Sequence, residues 1–219
     1  MEIKVVKQIL EWNEDCSNDV KNVLKEKNIF MINVMGSPGA GKTSLIVEMI
    51  KRLSDTYKVA VIEGDIAGQI DAQKIDALGI PVVQLNTDGA CHIEAMSIRN
   101  ILQYFDLDNI DVIIIENIGN LVCPAEFNIG EDLRIAILSI PEGDDKVEKY
   151  PLMFSTTNSL VLGKYDMIEF FDFDDEKVER ITKELNPKAE VFRLSVKKEY
   201  DFNKFTDWLK ANIKSKIQK

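Results

Sequence analysis

The stretch Ile29-Phe-Met-Ile-Asn-Val-Met-Gly36-Ser-Pro-Gly-Ala-Gly-Lys42-Thr43-Ser44-Leu-Ile-Val-Glu-Met-Ile-Lys-Arg-Leu53 decides the fold. Its first seven residues are almost all apolar, the pattern of a strand buried on both faces. The next eight satisfy Gly-x4-Gly-Lys-Thr, in which glycines let successive backbone N–H groups turn onto a phosphate. From Lys42 onward Leu45, Ile46, Met49, Ile50 and Leu53 recur at helical spacing, predicting a helix over 42–55. Strand, loop and helix together make a phosphate cradle at a helix N-terminus. Gly36, Ser37, Pro38, Gly39, Ala40, Gly41, Lys42, Thr43 and Ser44 are its candidate residues. Lys42 is placed to reach β/γ oxygens, and the Thr43 hydroxyl to complete part of a Mg²⁺ shell.

Working outward, apolar runs predict further strands over 58–63, 81–85, 111–116, 134–139, 159–162 and 190–194. Helical spacing predicts helices over 70–78, 93–104, 174–185 and 202–217. Strands alternating with helices of about three turns specify an open, mainly parallel sheet between two helical layers, an α/β/α sandwich. Residues 3–28 read as two short amphipathic helices interrupted by the polar run 13–18. No Pro/Gly/Ser-rich linker divides the rest. The expected organisation is an N-terminal helical segment, 1–28, and one nucleotide-binding domain, 29–219.

Composition narrows the partners. The 219 residues are 45% hydrophobic and 29% charged, with 27 Lys plus Arg against 37 Asp plus Glu, a net charge of −10. An acidic chain repels nucleic-acid backbones, so no nucleic-acid partner is expected. No 18-residue apolar window exists, and Met1-Glu2-Ile3-Lys4 does not open a signal peptide, so the expectation is a cytoplasmic protein with no membrane partner. Three cysteines (Cys16, Cys91, Cys123) and one histidine (His92) exclude a disulfide framework but leave a metal site open.

A Mg²⁺-nucleotide site needs acidic groups at strand ends. Asp65 and Glu116 follow two of the predicted strands, and Asp65 is preferred over its rival Glu63 because Gly64 carries it into the loop. Lys42, Thr43, Asp65 and Glu116 are thus the candidate catalytic set. The base is read from Gly163-Lys164-Tyr165-Asp166. The Asp166 carboxylate accepts the two N–H groups of guanine's Watson–Crick edge, which adenine does not offer, and Lys164 lays its methylenes over the ring. Ser195-Val196-Lys197 follows the next strand and closes on the base. Gly163 supplies no side-chain amide, and an Asn there is expected to be neutral or to tighten binding. Cys91-His92 and Cys123 lie in loops leaving the same sheet edge, so two thiols and an imidazole can converge. Soft S and N donors suit Zn²⁺ or Ni²⁺, and three are one short of a closed tetrahedron. On the residues alone, the alternative is two ordinary cysteines and a histidine at a helix start. Cys16 has no donor neighbours.

Several segments resemble the HypB-type hydrogenase maturation GTPases. They are Gly36–Thr43, Glu63-Gly-Asp-Ile66, Leu85-Asn-Thr87 followed by Cys91-His92, Glu116-Asn-Ile-Gly-Asn-Leu-Val-Cys-Pro-Ala-Glu-Phe127, and Gly143-Asp-Asp-Lys146 leading to Tyr150-Pro151. The resemblance covers roughly residues 29–210. It implies a P-loop NTPase of the dimerising, SIMIBI-type class that hydrolyses GTP to GDP and phosphate with Mg²⁺. It further implies nickel insertion during [NiFe] hydrogenase maturation, and a homodimer that depends on nucleotide, metal or both. Cys91, His92 and Cys123 would then form a Zn²⁺/Ni²⁺ site at the subunit boundary. The implied partners are a small zinc-containing maturation protein of the HypA type and, indirectly, the hydrogenase large subunit. Gly163 departs from the family, which has Asn there. The alternatives are a urease-accessory nickel GTPase, whose metal motif differs, and a small P-loop kinase, which leaves Asp166 and the Cys/His set unexplained. Because Cys123 shares a loop with Glu116, nucleotide state is expected to act on a metal ligand.

Overall fold

The computed structural model describes residues 2–65, 75–87, 89–197 and 202–217. Seven strands form a single sheet: β1 (Phe30–Gly36), β2 (Val59–Asp65), β3 (Val82–Asn86), β4 (Val112–Glu116), β5 (Leu133–Ser139), β6 (Ser159–Gly163) and β7 (Glu190–Arg193). Their order is β3-β2-β4-β1-β5-β6-β7, and every pairing is parallel. Parallel strands need covered faces, and β1 shows why its run is continuously apolar. Phe30, Ile32 and Val34 enter the core on one face, whereas Met31 enters the core on the other.

Helix α2 (Lys42–Leu53) supplies Leu45, Ile46, Met49 and Leu53 to the first of these cores. The closing helix, Phe202–Lys216, adds Phe202, Phe205, Leu209 and Ile213 to it. The opposite face is covered by α1 (Glu2–Glu26) through Val20 and Leu24, and by α3 (Ala95–Ile101) through Ile98 and Ile101. Further along that layer, short helices at Cys123–Glu126 (α4), Lys146–Lys149 (α5) and Pro151–Ser155 (α6) precede α7 (Asp175–Leu185). The closing helix is therefore α8. Three layers result, as the alternation of elements specifies.

Two expectations need correction. Residues 3–28 are not two helices: α1 is one helix of 25 residues. The polar run 13–18 contains neither Pro nor Gly, and its first residue, Asn13, is committed to tertiary bonds. Asn13 Nδ2 donates to Asn128 O at 2.8 Å, and its Oδ1 accepts from Ala95 N at 3.0 Å. The second bond caps α3 from another element, since the helix's own N-cap, Glu94, makes no side-chain cap. The helix expected over 93–104 is α-helical only to Ile101 and finishes as a 3₁₀ turn, Leu102–Tyr104. The helix expected over 70–78 lies largely outside the described residues. No helix among the described residues is long and apolar enough to cross a membrane.

Candidate functional site

The loop between β1 and α2 occupies the centre of the sheet's carboxyl edge, where ligands bind in open α/β folds. Gly39 and Gly41 have φ of 75° and 105°, a left-handed backbone that glycine adopts without strain. Lys42 is only 7% exposed and donates to Gly36 O at 3.4 Å and Ser37 O at 3.2 Å. Thr43 Oγ1 donates to Glu116 Oε1 at 3.0 Å. Strand register sets Glu63 beside Glu116, at 2% and 5% exposure.

These groups line a cavity of about 480 Å³ together with Pro38, Gly39, Gly119 and Lys164. Two carboxylates and a hydroxyl are hard oxygen donors of the kind Mg²⁺ takes, so the site fits that ion. Among the described residues, Glu63, ranked below Asp65 from sequence, is a β2 carboxylate that lines the cavity. Asp65 ends β2 opposite Asn86, and its side chain lies outside the described residues.

A second cavity of about 390 Å³ adjoins the first through Gly41, Ser44 and Lys164. Its walls are largely apolar, from Ala40, Ile137, Val161, Leu194 and Val196, with Asp166 and Lys197 as polar groups. That suits a flat heterocycle read at one edge. Asp166 sits on the 3₁₀ turn Tyr165–Phe170, and Ser195 Oγ donates to its Oδ1 at 2.6 Å. Lys197 N in turn donates to Ser195 Oγ at 3.1 Å. Ser195 is thus a buried holder of the carboxylate, while Val196 and Lys197 line the cavity. Lys164, at φ 54°, donates to Gly39 O at 2.8 Å and so links the base loop to the phosphate loop. A Cβ on Gly163 would lie 3.0 Å from Ile137 Cδ1. An Asn there, expected to be neutral or to tighten binding, requires the Ile137 side chain to give by a few tenths of an ångström.

At the other end of the same edge, one ligand atom from each of Cys91, His92 and Cys123 lies within 4.8 Å of the other two. Cys91 Sγ is 3.0 Å from Cys123 Sγ and 3.6 Å from His92 Nδ1. The His92 ring stacks on Phe127 at 3.9 Å. Burial lowers the His92 pKa, against the opposing charges of Glu94 and Glu126, so the imidazole is neutral at neutral pH. The hydrogen bond with Cys91, aided by burial, raises the Cys123 thiol.

Sequence reasoning missed the residues that hold this cluster. Asn120 Nδ2 donates to Cys91 O at 3.3 Å, and its Oδ1 accepts from Val122 N at 2.8 Å. Arg134, paired with Glu131, donates to Ala125 O at 3.3 Å and Phe127 O at 3.0 Å, bracing the segment after Cys123. Asn120 and Phe127 fall inside a motif quoted above, but nothing in their spacing announces a role.

A phosphate loop on the central strand of this parallel sheet, flanked by a base cavity carrying Asp166, defines a P-loop NTPase of the SIMIBI-type class. The family described as "CobW/HypB/UreG, nucleotide-binding domain" matches residues 30–193. The "Probable hydrogenase maturation factor HypB" of Methanocaldococcus jannaschii is 37% identical over 212 residues, covering 97% of this chain and 96% of that protein. HypB from Helicobacter pylori, solved in complex with nickel, superposes with a TM-score of 0.85 at 35% identity, over 94% of this chain and 97% of that one. The hydrogenase maturation factor HypB from Archaeoglobus fulgidus gives 0.87 at 31% identity, over 93% and 100%. The chain belongs to the CobW/HypB/UreG family and is a GTP-hydrolysing member of it.

Proposed function

We propose that this protein is a GTP-dependent metallochaperone that delivers nickel during [NiFe] hydrogenase maturation. The observation that carries the reading is the Cys91–His92–Cys123 cluster, mounted on loops that leave the same sheet edge as the phosphate cavity. Cys123 lies seven positions beyond Glu116 on one continuous segment. Zn²⁺ or Ni²⁺ is the cargo, and thiolate plus imidazole donors match either ion.

In the nucleotide site, the loop N–H groups and Lys42 hold the β/γ-phosphates of GTP. Asp166 reads guanine, and the apolar walls exclude water from the base. Thr43 and Glu116, with Glu63 and the expected Asp65, would hold Mg²⁺, which when bound neutralises charge developing on the phosphate oxygens. Three soft donors leave a metal's shell incomplete, so a second copy of the chain completes it. This supports a homodimer that depends on metal and nucleotide. The proposed partners are a small zinc-containing HypA-type maturation protein and, through it, the hydrogenase large subunit, with the cytoplasm as the place of action.

The test pairs two variants. Lys42→Ala should lower GTP hydrolysis by about 10²-fold or more, the scale of losing a strong transition-state donor. Cys123→Ala should weaken Zn²⁺ and Ni²⁺ binding and metal-driven dimerisation, followed by sedimentation, with GTP affinity unchanged. Metal affinity equal in wild type and Cys123→Ala would remove the metallochaperone reading.

A further inference from the structure

The base-reading turn after β6 is held in a conformation that its own residues do not favour. Lys164 has φ 54° and ψ 36°, a left-handed backbone that a residue with a Cβ keeps only where its surroundings over-determine it. Those surroundings are the end of β7 and the start of α7, and they meet at Tyr165. The Tyr165 N–H donates to Leu194 O at 3.1 Å, and its phenol donates to Asp175 Oδ2 at 3.0 Å. The same oxygen accepts from Arg193 Nε at 2.6 Å, while Arg193 Nη2 pairs with Glu179 at 2.8 Å. Asp175 opens α7, a helix of 11 residues capped by Asp174, which accepts from Lys177 N at 2.8 Å. A carboxylate in that first turn is favoured by the helix dipole.

Arg193, Leu194 and Ser195 thus act on the turn in succession. Arg193 acts through Asp175 on the Tyr165 phenol, and Leu194 on the Tyr165 N–H. Ser195 acts on Asp166, whose Oδ1 accepts from Ser195 Oγ at 2.6 Å. The first route lies behind the base cavity, for Tyr165, Asp175 and Arg193 are not among its lining residues. Guanine offers its N1–H and its 2-amino group side by side, so both carboxylate oxygens of Asp166 must face the base at once. A rotation that one of these donors tolerates loses the other.

We propose that Asp175, acting through the Tyr165 hydroxyl, is a positioning residue for guanine selection. Braced by Arg193, it fixes the turn so that Asp166 meets both donors. This rests on the reading of guanine by Asp166 proposed above.

The experiment is competition against a fluorescent GDP, on the full chain with Mg²⁺. It gives the affinities for GDP and for IDP, whose base keeps N1–H and lacks the 2-amino group. Wild type should prefer GDP by about 10-fold or more, the scale of one hydrogen bond to a charged group. Tyr165→Phe deletes only the phenol oxygen and leaves the Asp175–Arg193 pair to hold α7 against β7. It should lower the GDP-to-IDP ratio about threefold or more, and Asp175→Ala at least as far. The double variant should do no more than Asp175→Ala alone, because one residue acts through the other. A merely structural role would weaken both nucleotides together and leave the ratio unchanged. Single variants with the wild-type ratio, or losses that add in the double variant, overturn the inference and leave Asp166 as the guanine reader. A wild type that binds GDP and IDP equally overturns the reading of Asp166 and the inference with it.

Discussion

Adding a Cβ at Gly163 would bring it to 3.0 Å from Ile137 Cδ1, 3.2 Å from Ile137 Cγ1 and 3.5 Å from Ala40 O. The first two distances are tighter than ordinary contact, and Ile137 is only 3% exposed in the wall of the base cavity. Ile137 must give by a few tenths of an ångström to admit it, and overpacking of this sort costs about 1–3 kcal/mol. Gly163 does not have a left-handed backbone, so packing is the whole penalty. Ile137→Val removes Cδ1, and with it the closest clash, for about 0.5–1.5 kcal/mol in lost burial. Gly163→Asn should therefore destabilise the protein by about 1–2 kcal/mol in the wild-type background, and by about 1 kcal/mol less in the Ile137→Val background. Urea unfolding of all four proteins measures the cycle, with GTP competition binding alongside. The relieved double variant should bind GTP more tightly than Gly163→Asn alone. A Gly163→Asn protein with the wild-type urea midpoint, and no coupling to Ile137, would refute the assignment of Ile137 as the obstructing group.

Asp166→Asn exchanges one acceptor for a donor, so preference should move from GTP toward xanthosine triphosphate, whose O2 accepts where guanine donates. Hydrogen-bonded discrimination of this kind can reach about 10⁴-fold, and competition binding with both nucleotides checks it. Metal affinity should rise with pH through the neutral range. The Cys123 thiol, raised by its bond to Cys91 and by burial, must lose its proton to bind, whereas His92, lowered by burial, is already neutral there. Calorimetry in buffers of different ionisation enthalpy should therefore show about one or more protons released per metal bound at neutral pH. Zero release would contradict it.

Much of the fold was legible because the sheet is buried on both faces. Strands β1, β4 and β6 are short, fully buried and mostly apolar runs, with β3 and β7 half-buried at the edges, and the described helices that cover the sheet show apolar residues at helical spacing. The phosphate loop was legible because Gly-x4-Gly-Lys-Thr states its own backbone requirement. Illegible features are those in which a residue serves a distant element. Asn13 looks like an interruption of α1 until Ala95 N and Asn128 O appear beside it. Glu63 ranks only as a rival to Asp65 until register sets it next to Glu116. The convergence of Cys91, His92 and Cys123 could be argued from loop placement, but the supports Asn120, Phe127 and Arg134 could not. Their bonds run between segments whose relative position only the folded sheet determines.

Strand order also bears on how such a protein can be altered. The metal-binding loops follow β3 and β4, the base-reading loops follow β6 and β7, and the phosphate loop on β1 separates them. Choice of cargo and choice of fuel are thus housed in opposite wings that meet only at the part every nucleoside triphosphate shares. A different pair of metal loops could be grafted onto one wing without redesigning the other. A change of nucleotide preference in the base-reading wing would leave the chemistry of the carried metal untouched.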